Sequence, residues 1–186
     1  MDFIKEPLEL ERALEDTFGP MTPIFRDESE WQDVKLFDVR GLNFDPIILE
    51  AVRTVFAVVN NQEGRTLLIE HPKRGWEICG GHVTISELKN KDLIEALKRE
   101  VLEESGYTIQ QPQLGFLAHV INKGESINKE LGCPYPKNAV MATFICNAHE
   151  KVSEELLDDI QQVGFFELDE ASEKVRSRNR AILAAL

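Results

Sequence analysis

The sequence lacks any segment suited to crossing or leaving through a membrane. No apolar run approaches the ~20 residues that a membrane-spanning helix needs. The acidic first segment, MDFIKEPLELERALED, also lacks the basic-then-apolar pattern of a secretory signal. The sequence therefore predicts a cytoplasmic protein without a membrane partner.

Cysteine is scarce, and its spacing excludes two kinds of site. The chain has 3 cysteines, at positions 79, 133 and 146. They form no CxxC pair and match no zinc-site spacing, and an odd number argues against a disulfide framework. We therefore expect reduced thiols and no catalytic cysteine.

Positive charge is also in short supply. The chain has 21 Lys and Arg against 33 Asp and Glu, which gives a formal net charge of -12. Affinity for DNA or RNA depends on Lys and Arg replacing counterions, so this balance disfavours long nucleic acids and anionic membranes. A small phosphorylated ligand is still compatible with it, provided that a metal ion or a local basic spot offsets the field.

The length and composition favour one main domain with an N-terminal extension. The chain has 186 residues, of which 42% are hydrophobic, enough for one sizeable core. Residues 1–50 are predicted to be the extension and residues 51–186 the main domain. The extension holds an amphipathic segment at 7–18 and the aromatic residues Trp31, Phe37 and Phe44. We expect it to pack on the main domain or on a second subunit, which would make the protein a homodimer.

The main domain alternates strands with helices. The predicted elements are a hairpin of strands 51–60 and 65–70, a helix from Asp92, strands 113–122 and 139–147 around a lid-like loop at 123–137, a strand at 163–170 and an uninterrupted helix at 171–186. This order predicts an α/β domain with helices layered on a mixed sheet.

The segment from Gly80 to Gly106 carries the most information. Asp92 is a predicted helix cap, with Glu95 three residues later completing a capping box. Glu100, Glu103 and Glu104 then fall at i, i+3 and i+4 near the helix C-terminus, where like charges repel each other and the helix dipole. On spacing alone, a solvated acidic face is the simpler interpretation. A compensating cation is the alternative.

The same segment resembles the Nudix box. Gly81 is followed after five residues by Glu87, and the second half reads REVLEESGY from Arg99 to Tyr107, matching the REUXEEXGU pattern. The resemblance departs from the family in one place. Eleven residues separate Glu87 from Arg99 where the family has seven, so that four residues are inserted around 88–91.

The resemblance implies a Nudix-like α/β/α sandwich and a site for Mg²⁺, with Mn²⁺ as the alternative. By resemblance, Glu100 and Glu104 are the principal ligands, Glu103 is a further ligand, and the Gly80 carbonyl is another. Arg99 would orient the glutamates. Glu87 either reaches the metal from its longer loop or has lost that role.

Further residues are weaker candidates for contact with the substrate. Substrate contacts are predicted for Lys73, Arg74, Gly81 and Tyr135, although adjacent cations are more often simply solvated and Tyr135 is as easily a packing residue. The proposed additional acid is chosen from Glu154, Glu155, Asp158 and Asp159, with Asp159 ranked first.

Two functions of different classes remain open. The first is a Mg²⁺-dependent pyrophosphohydrolase that cleaves a nucleoside diphosphate linked to another group by attack of water on phosphorus. Its partner is a small phosphorylated, nucleotide-type substrate. The second is a Nudix-fold module that senses a nucleotide without hydrolysing it, because the insertion has displaced Glu87.

Overall fold

The computed structural model describes residues 8–43, 45, 47–124, 127–128, 133–134, 136–157 and 159–186. The helices are α1 (Leu8–Phe18), α2 (Ile47–Glu50), α3 (Ile85–Asn90), α4 (Leu93–Ser105), α5 (Leu168–Lys174) and α6 (Ser177–Ala184). The strands are β1 (Phe25–Glu28), β2 (Gln32–Asp38), β3 (Val52–Asn60), β4 (Thr66–His71), β5 (Gly75–Glu77), β6 (Cys79–His82), β7 (Tyr107–Asn122), β8 (Ile127–Asn128), β9 (Cys133–Pro134), β10 (Asn138–Lys151) and β11 (Gln162–Phe166). Among the described helices, none has the length and apolar character needed to cross a membrane.

Nine strands form one mixed sheet. The order is β1-β2-β7-β10-β3-β4-β11, with β5 paired to β4 and β6 paired to β3. The β10–β3 pair is parallel, and the other strand pairs are antiparallel. The predicted mixed sheet is therefore confirmed.

Both faces of the sheet are covered, and β3 shows why its sequence is almost continuously apolar. Val55, Ala57 and Val59 face a core shared with α1 and α4. Val58 faces a second core shared with α5 and α6, and Phe56 packs against the same core. Successive strand residues point to opposite faces, so a strand buried on both sides needs apolar residues throughout. This confirms the α/β/α sandwich.

The N-terminal segment packs against this sheet. Leu14 and Phe18 of α1 are buried in the first core, and Phe18 stacks on Phe37 of β2 at 4.6 Å between ring centroids. Trp31 behaves differently, because it is 73% exposed. Phe44 lies outside the described residues. The boundary between an extension and a main domain after residue 50 stays a prediction.

The predicted hairpin of β3 and β4 is confirmed next to its turn but wrong beyond it. The two strands are paired only at Asn60 and Thr66. Beyond that point β6 takes the edge of β3, with Thr54 opposite His82 and Ala57 opposite Cys79. Strand β4 diverges instead to pair with β11 and β5.

The uninterrupted C-terminal helix is also wrong, because it breaks between α5 and α6. Val175 is fully buried at the break, and Ser177 has a φ of 42°. The guanidinium of Arg180 donates to the carbonyls of Ser172, Glu173 and Val175 and so satisfies acceptors that a continuous helix would have used.

The two long strands are found where they were predicted, and both extend further than the predicted bounds. Of the lid-like loop at 123–137, residues 125–126, 129–132 and 135 lie outside the described residues. Its described part includes the two-stranded pair β8–β9.

We expect Gly106→Ala to destabilise the fold more than Gly64→Ala. Both glycines have positive φ, 76° and 79°, which costs an L-residue about 1–2 kcal/mol. A Cβ at Gly64 meets nothing within 4 Å, whereas one at Gly106 collides with the Ser153 carbonyl oxygen. That overlap adds about 1–3 kcal/mol.

Urea unfolding of the two variants beside the wild type measures this difference. Equal losses of unfolding free energy would show that the contact between Gly106 and Ser153 does not fix the end of α4.

Candidate active site

Helix α4 begins and ends where its sequence predicts. The Asp92 side chain accepts a hydrogen bond from the Glu95 N–H at 3.0 Å, and Gly106 closes the helix in the left-handed conformation. The predicted reciprocal bond from Glu95 is replaced by an ion pair to Lys98 at 2.7 Å. The capping box occurs one helix earlier, between Thr84 and Glu87.

Residues 88–91, which are predicted to be an insertion, form the second half and the end of the short helix α3. The Thr84–Glu87 capping box opens α3, and Lys91 ends it with a φ of 55° and an N–H that bonds to the carbonyls of Glu87 and Leu88. The Lys91 ammonium also pairs with Glu50 at 2.5 Å. The extra length is therefore closed by local hydrogen bonds directly before Asp92 starts α4.

Arg99 is the cation that compensates the acidic end of α4. Its Nε and Nη2 donate to the two oxygens of Glu87 at 2.9 and 3.1 Å. Its Nη1 donates to Glu100 at 2.9 Å and to Glu103 at 3.0 Å, and Nη2 also reaches the His82 carbonyl at 3.0 Å. The hydrogen bonds to Glu87 are the main reason why the pKa of Arg99 is raised.

Glu87 is therefore engaged as a partner of Arg99. Besides the two bonds from Arg99, its Oε2 accepts from the N–H and the hydroxyl of Thr84, both at 2.8 Å. Burial raises the pKa of Glu87, but the hydrogen bonds from Arg99 and Thr84 outweigh burial, and the net pKa is lowered. Its carboxylate is thus held in the charged form.

Glu104 is the most buried of the three helix glutamates, at 6% exposure. Its Oε2 accepts a hydrogen bond from the Gly80 N–H at 2.7 Å. Burial raises the pKa of Glu104 to about 8, opposed by the Gly80 bond and reinforced by the nearby carboxylates of Glu100 and Glu77. A cation bound beside Glu104 would offset both the desolvation cost of its buried carboxylate and the repulsion from Glu100 and Glu77.

Gly80 and Gly81 lie in close contact with strand β3 on one side and with helix α4 on the other. A Cβ at Gly80, whose φ is 151°, would overlap the Val55 carbonyl and the Cα of Phe56 in the neighbouring strand. A Cβ at Gly81 would overlap the carboxylate of Glu100. Glycine is therefore required at position 80 by backbone atoms of β3, whereas a side chain at position 81 would displace the Glu100 carboxylate from its place beside Arg99.

The acids approach one another without forming a finished cage. Arg99 draws Glu100 and Glu103 together, and the Gly80 N–H holds Glu104. Within the described part of the chain, no three His, Cys, Asp or Glu side chains are arranged as a ready metal-binding group. The donor types are nevertheless those that Mg²⁺ prefers, namely carboxylate oxygens beside a backbone carbonyl.

The other predicted site residues gather at the β4–β5 turn. The backbone N–H of Lys73 donates to His71 Nδ1 at 3.1 Å, and Asp159 pairs with His71 Nε2 at 3.3 Å. Arg74 pairs with Glu77 at 2.7 Å, and its charge lowers the pKa of Glu104 against the dominant effect of burial. Tyr135 and the alternative acid Asp158 lie outside the described residues.

Three residues of this region are absent from the sequence predictions. Glu77 lies three residues before Gly80, so its position next to the Nudix box was a signal that could have identified it. Arg178 and Asn179 come from α6, and they line a cavity with Arg74 and Glu77. No motif marks them, because only the folding of the C-terminal helices brings them here.

Comparison with known proteins places the fold in a family. A model of the NUDIX domain matches residues 50–186. The pyrophosphohydrolase BsRppH of Bacillus subtilis, in a mutant form, has a TM-score of 0.54 at 20% identity, covering 73% of this chain and 72% of that one. A NUDIX hydrolase from Nitrosomonas europaea has a TM-score of 0.51 at 24% identity, with coverages of 72% and 86%.

A third similar structure is the NUDIX domain of Shewanella oneidensis NrtR complexed with ADP ribose. It has a TM-score of 0.51 at 14% identity, covering 76% of this chain and 90% of that one. A sequence comparison with curated proteins found no match. The family model spans most of the chain, and it coincides with the box found from Gly81 to Tyr107. The chain therefore belongs to the NUDIX domain family, that of the Nudix hydrolases, which act on phosphorus-containing acid anhydrides.

Proposed function

We propose that the protein is a Mg²⁺-dependent pyrophosphohydrolase that cleaves a nucleoside diphosphate linked to another group, with Mn²⁺ as the alternative ion. The observation that carries this proposal is the acidic end of α4, packed under a glycine pair and held by one arginine. Water attacks one phosphorus of the diphosphate, the P–O–P bridge breaks, and each of the two products keeps a phosphate. The protein acts in the cytoplasm, and its net charge of -12 disfavours long nucleic acids as substrates.

The residues present fit the proposed ion. Glu100, Glu103, Glu104 and the Gly80 carbonyl would hold it, because all four offer oxygen atoms beside one helical turn. The raised pKa of Glu104, caused mainly by burial and reinforced by Glu100, is what a bound cation would reverse. When bound, Mg²⁺ neutralises phosphate oxygens and activates water for attack.

The chain's own residues have separate tasks in this proposal. Arg99 fixes the orientation of Glu100 and Glu103 through one nitrogen, Nη1. The glycine pair leaves room for phosphate to approach the backbone. Asp159 stays the predicted additional acid, which would accept the proton from water. Because His71 Nδ1 accepts the Lys73 N–H, the His71 Nε2–H is the donor that faces the Asp159 carboxylate at 3.3 Å and would orient it.

A nucleotide sensor that does not hydrolyse its ligand is the second candidate. The observation favouring it is that Glu87, the first glutamate of the box, is fully engaged by Arg99 and Thr84. The NUDIX domain of NrtR in complex with ADP ribose is a fold relative that was crystallised with an intact nucleotide-type ligand. Binding without cleavage would therefore be consistent with this fold.

We expect the wild-type protein with Mg²⁺ to release phosphate or pyrophosphate from at least one member of a panel of nucleoside triphosphates, nucleotide sugars and dinucleotides. Glu104→Gln and Glu103→Gln should each lower kcat by at least about 100-fold, because each removes a charged oxygen ligand. Glu95→Gln is the matched control, since Glu95 lies on the same helix and, within the described part of the chain, its carboxylate pairs with Lys98 alone.

Release is followed by phosphate detection and by chromatography of the nucleotide. Activity of Glu104→Gln equal to that of the wild type would contradict the assigned role. No product from any substrate would refute the hydrolase.

Metal-free Glu104→Gln should be more stable than the wild type, and the difference should widen as the pH rises. The pKa of Glu104 is raised from 4.5 to about 8, chiefly by burial. Folding therefore favours the protonated acid. Its contribution to stability is complete below about 4.5 and is lost as the pH rises through about 8. Glutamine keeps a neutral group at every pH.

Thermal unfolding in EDTA at several pH values between 5 and 9 measures this effect. Added Mg²⁺ should raise the Tm of the wild type and leave that of Glu104→Gln almost unchanged. A gap between the two proteins that does not depend on pH would contradict the buried, protonated state of Glu104.

Calorimetry and chromatography on the same samples separate the two functions. The hydrolase predicts that a bound nucleotide is converted during incubation with Mg²⁺. Nucleotide binding with the ligand intact after prolonged incubation would establish the sensor and overturn the hydrolase.

A further inference from the structure

A cavity of about 320 Å³ lies between the β4–β5 turn and the start of α6. Its charged and polar lining includes Lys73, Arg74, Glu77, Arg176, Arg178 and Asn179, which we call the arginine pocket. Four of these side chains are cations, and Glu77 is the single acid among the described lining residues. Such a concentration of positive charge is unusual in a chain with a net charge of -12.

Arg178 lines this pocket and forms no ion pair among the described residues, although the charge of Glu77 acts on it. Its guanidinium lies 4.3 Å from the centroid of the Phe56 ring, and Nη1 contacts the sulfur of Met141 at 2.6 Å. Its Nε is buried with no hydrogen-bond partner, and no described carboxylate forms an ion pair with it. A guanidinium offers five donors, and leaving a buried one unsatisfied is unfavourable.

Asn179 adds a second unsatisfied atom to the same pocket. Its side chain is 9% exposed, and its Oδ1 is buried without a hydrogen-bond partner among the described residues. Burial lowers the pKa of Arg178 to about 10, opposed by the charge of Glu77, so this arginine still carries its charge at neutral pH. Of the two unsatisfied atoms, the Arg178 Nε is the one that can donate to an anion, because the Asn179 Oδ1 is an acceptor.

The arginine pocket adjoins the acidic end of α4. Glu77 precedes Gly80 by three residues, a span of about 10 Å at most. The charges of Glu77 and Arg74 both act on Glu104, after burial and the larger effects of Gly80 and Glu100. A ligand held at the glutamates through one phosphate would therefore have a cationic pocket within reach of its next charged group.

We infer that the arginine pocket binds a phosphate group of the substrate beyond the two that the cleaved anhydride joins. This inference rests on the proposed function and narrows the substrate class to nucleotides with three or more phosphates, such as nucleoside triphosphates or dinucleoside polyphosphates. Arginine favours phosphate because its planar fork can donate two hydrogen bonds to one phosphate. A neutral sugar would leave the same donors without an anion.

Binding of inorganic tripolyphosphate to the metal-free protein tests the pocket without any turnover. We expect calorimetry to show binding by the wild type that is at least about tenfold weaker in Arg178→Met, the loss typical of a charge-assisted hydrogen bond. Arg178→Lys keeps the positive charge but lacks the planar guanidinium, so its affinity for tripolyphosphate should lie between those of the wild type and Arg178→Met.

Two further variants guard against damage to the fold and against general charge effects. Arg176→Gln changes an exposed residue of the pocket and should also weaken tripolyphosphate binding. Arg12→Gln removes one exposed positive charge on α1 and should leave binding unchanged. Wild-type affinity in both Arg178→Met and Arg176→Gln, or no binding by the wild type at millimolar tripolyphosphate, would overturn the inference.

A kinetic comparison separates this inference from the proposed function. Arg178→Met should raise KM for a nucleoside triphosphate at least about tenfold while kcat changes less than about threefold. A nucleotide sugar has no third phosphate, so wild type and Arg178→Met should turn it over with the same KM or both leave it uncleaved. Equal effects on both substrates would overturn the inference and leave the hydrolase standing, whereas a wild type that binds tripolyphosphate but cleaves nothing would refute only the hydrolase.

Discussion

The guanidinium of Arg99 is the interaction on which the site depends. Three carboxylates from two helices and one carbonyl from β6 all accept its hydrogen bonds. Without this cation, the acids of α4 would repel one another and the negative end of their own helix. One side chain therefore performs two tasks: it compensates the acidic cluster, and it joins α3, α4 and β6 into a single unit.

The position of β6 in the sheet is the second constraint on the site. Strand β6 must lie against β3 closely enough for Gly80 to oppose Phe56, and it must also leave space for the Glu100 carboxylate above Gly81. Because β6 takes this edge of β3, β4 is forced away and carries its turn toward α6. The diverging strands thereby bring the β4–β5 turn and α6 to one cavity.

The sequence allowed the helix, its caps and the glutamates to be predicted because those features depend on neighbours in the chain. Asp92 and Gly106 end α4 through bonds to residues within four positions. The part of the hairpin beyond its turn and the uninterrupted C-terminal helix were wrong because distant contacts decided them: β6 takes the place of β4 beside β3, and Arg180 stabilises a break. Arg178 carries no local signal at all, so only the packing of α6 on the sheet could reveal it.

The turn that ends at Lys91 affects how members of this family can be recognised from the spacing of their motif. The residues predicted to be inserted are closed by hydrogen bonds from the Lys91 N–H to Glu87 and Leu88, and Lys91 itself is left-handed. The chain therefore enters α4 at Asp92 with Arg99 in hydrogen-bonding reach of Glu100 and Glu103. The number of residues between Glu87 and α4 therefore does not determine how Arg99 is placed relative to Glu100 and Glu103. A motif search that demands a fixed interval would reject a chain whose chemistry-bearing half is intact, while one that fixes only the two helix caps would keep it.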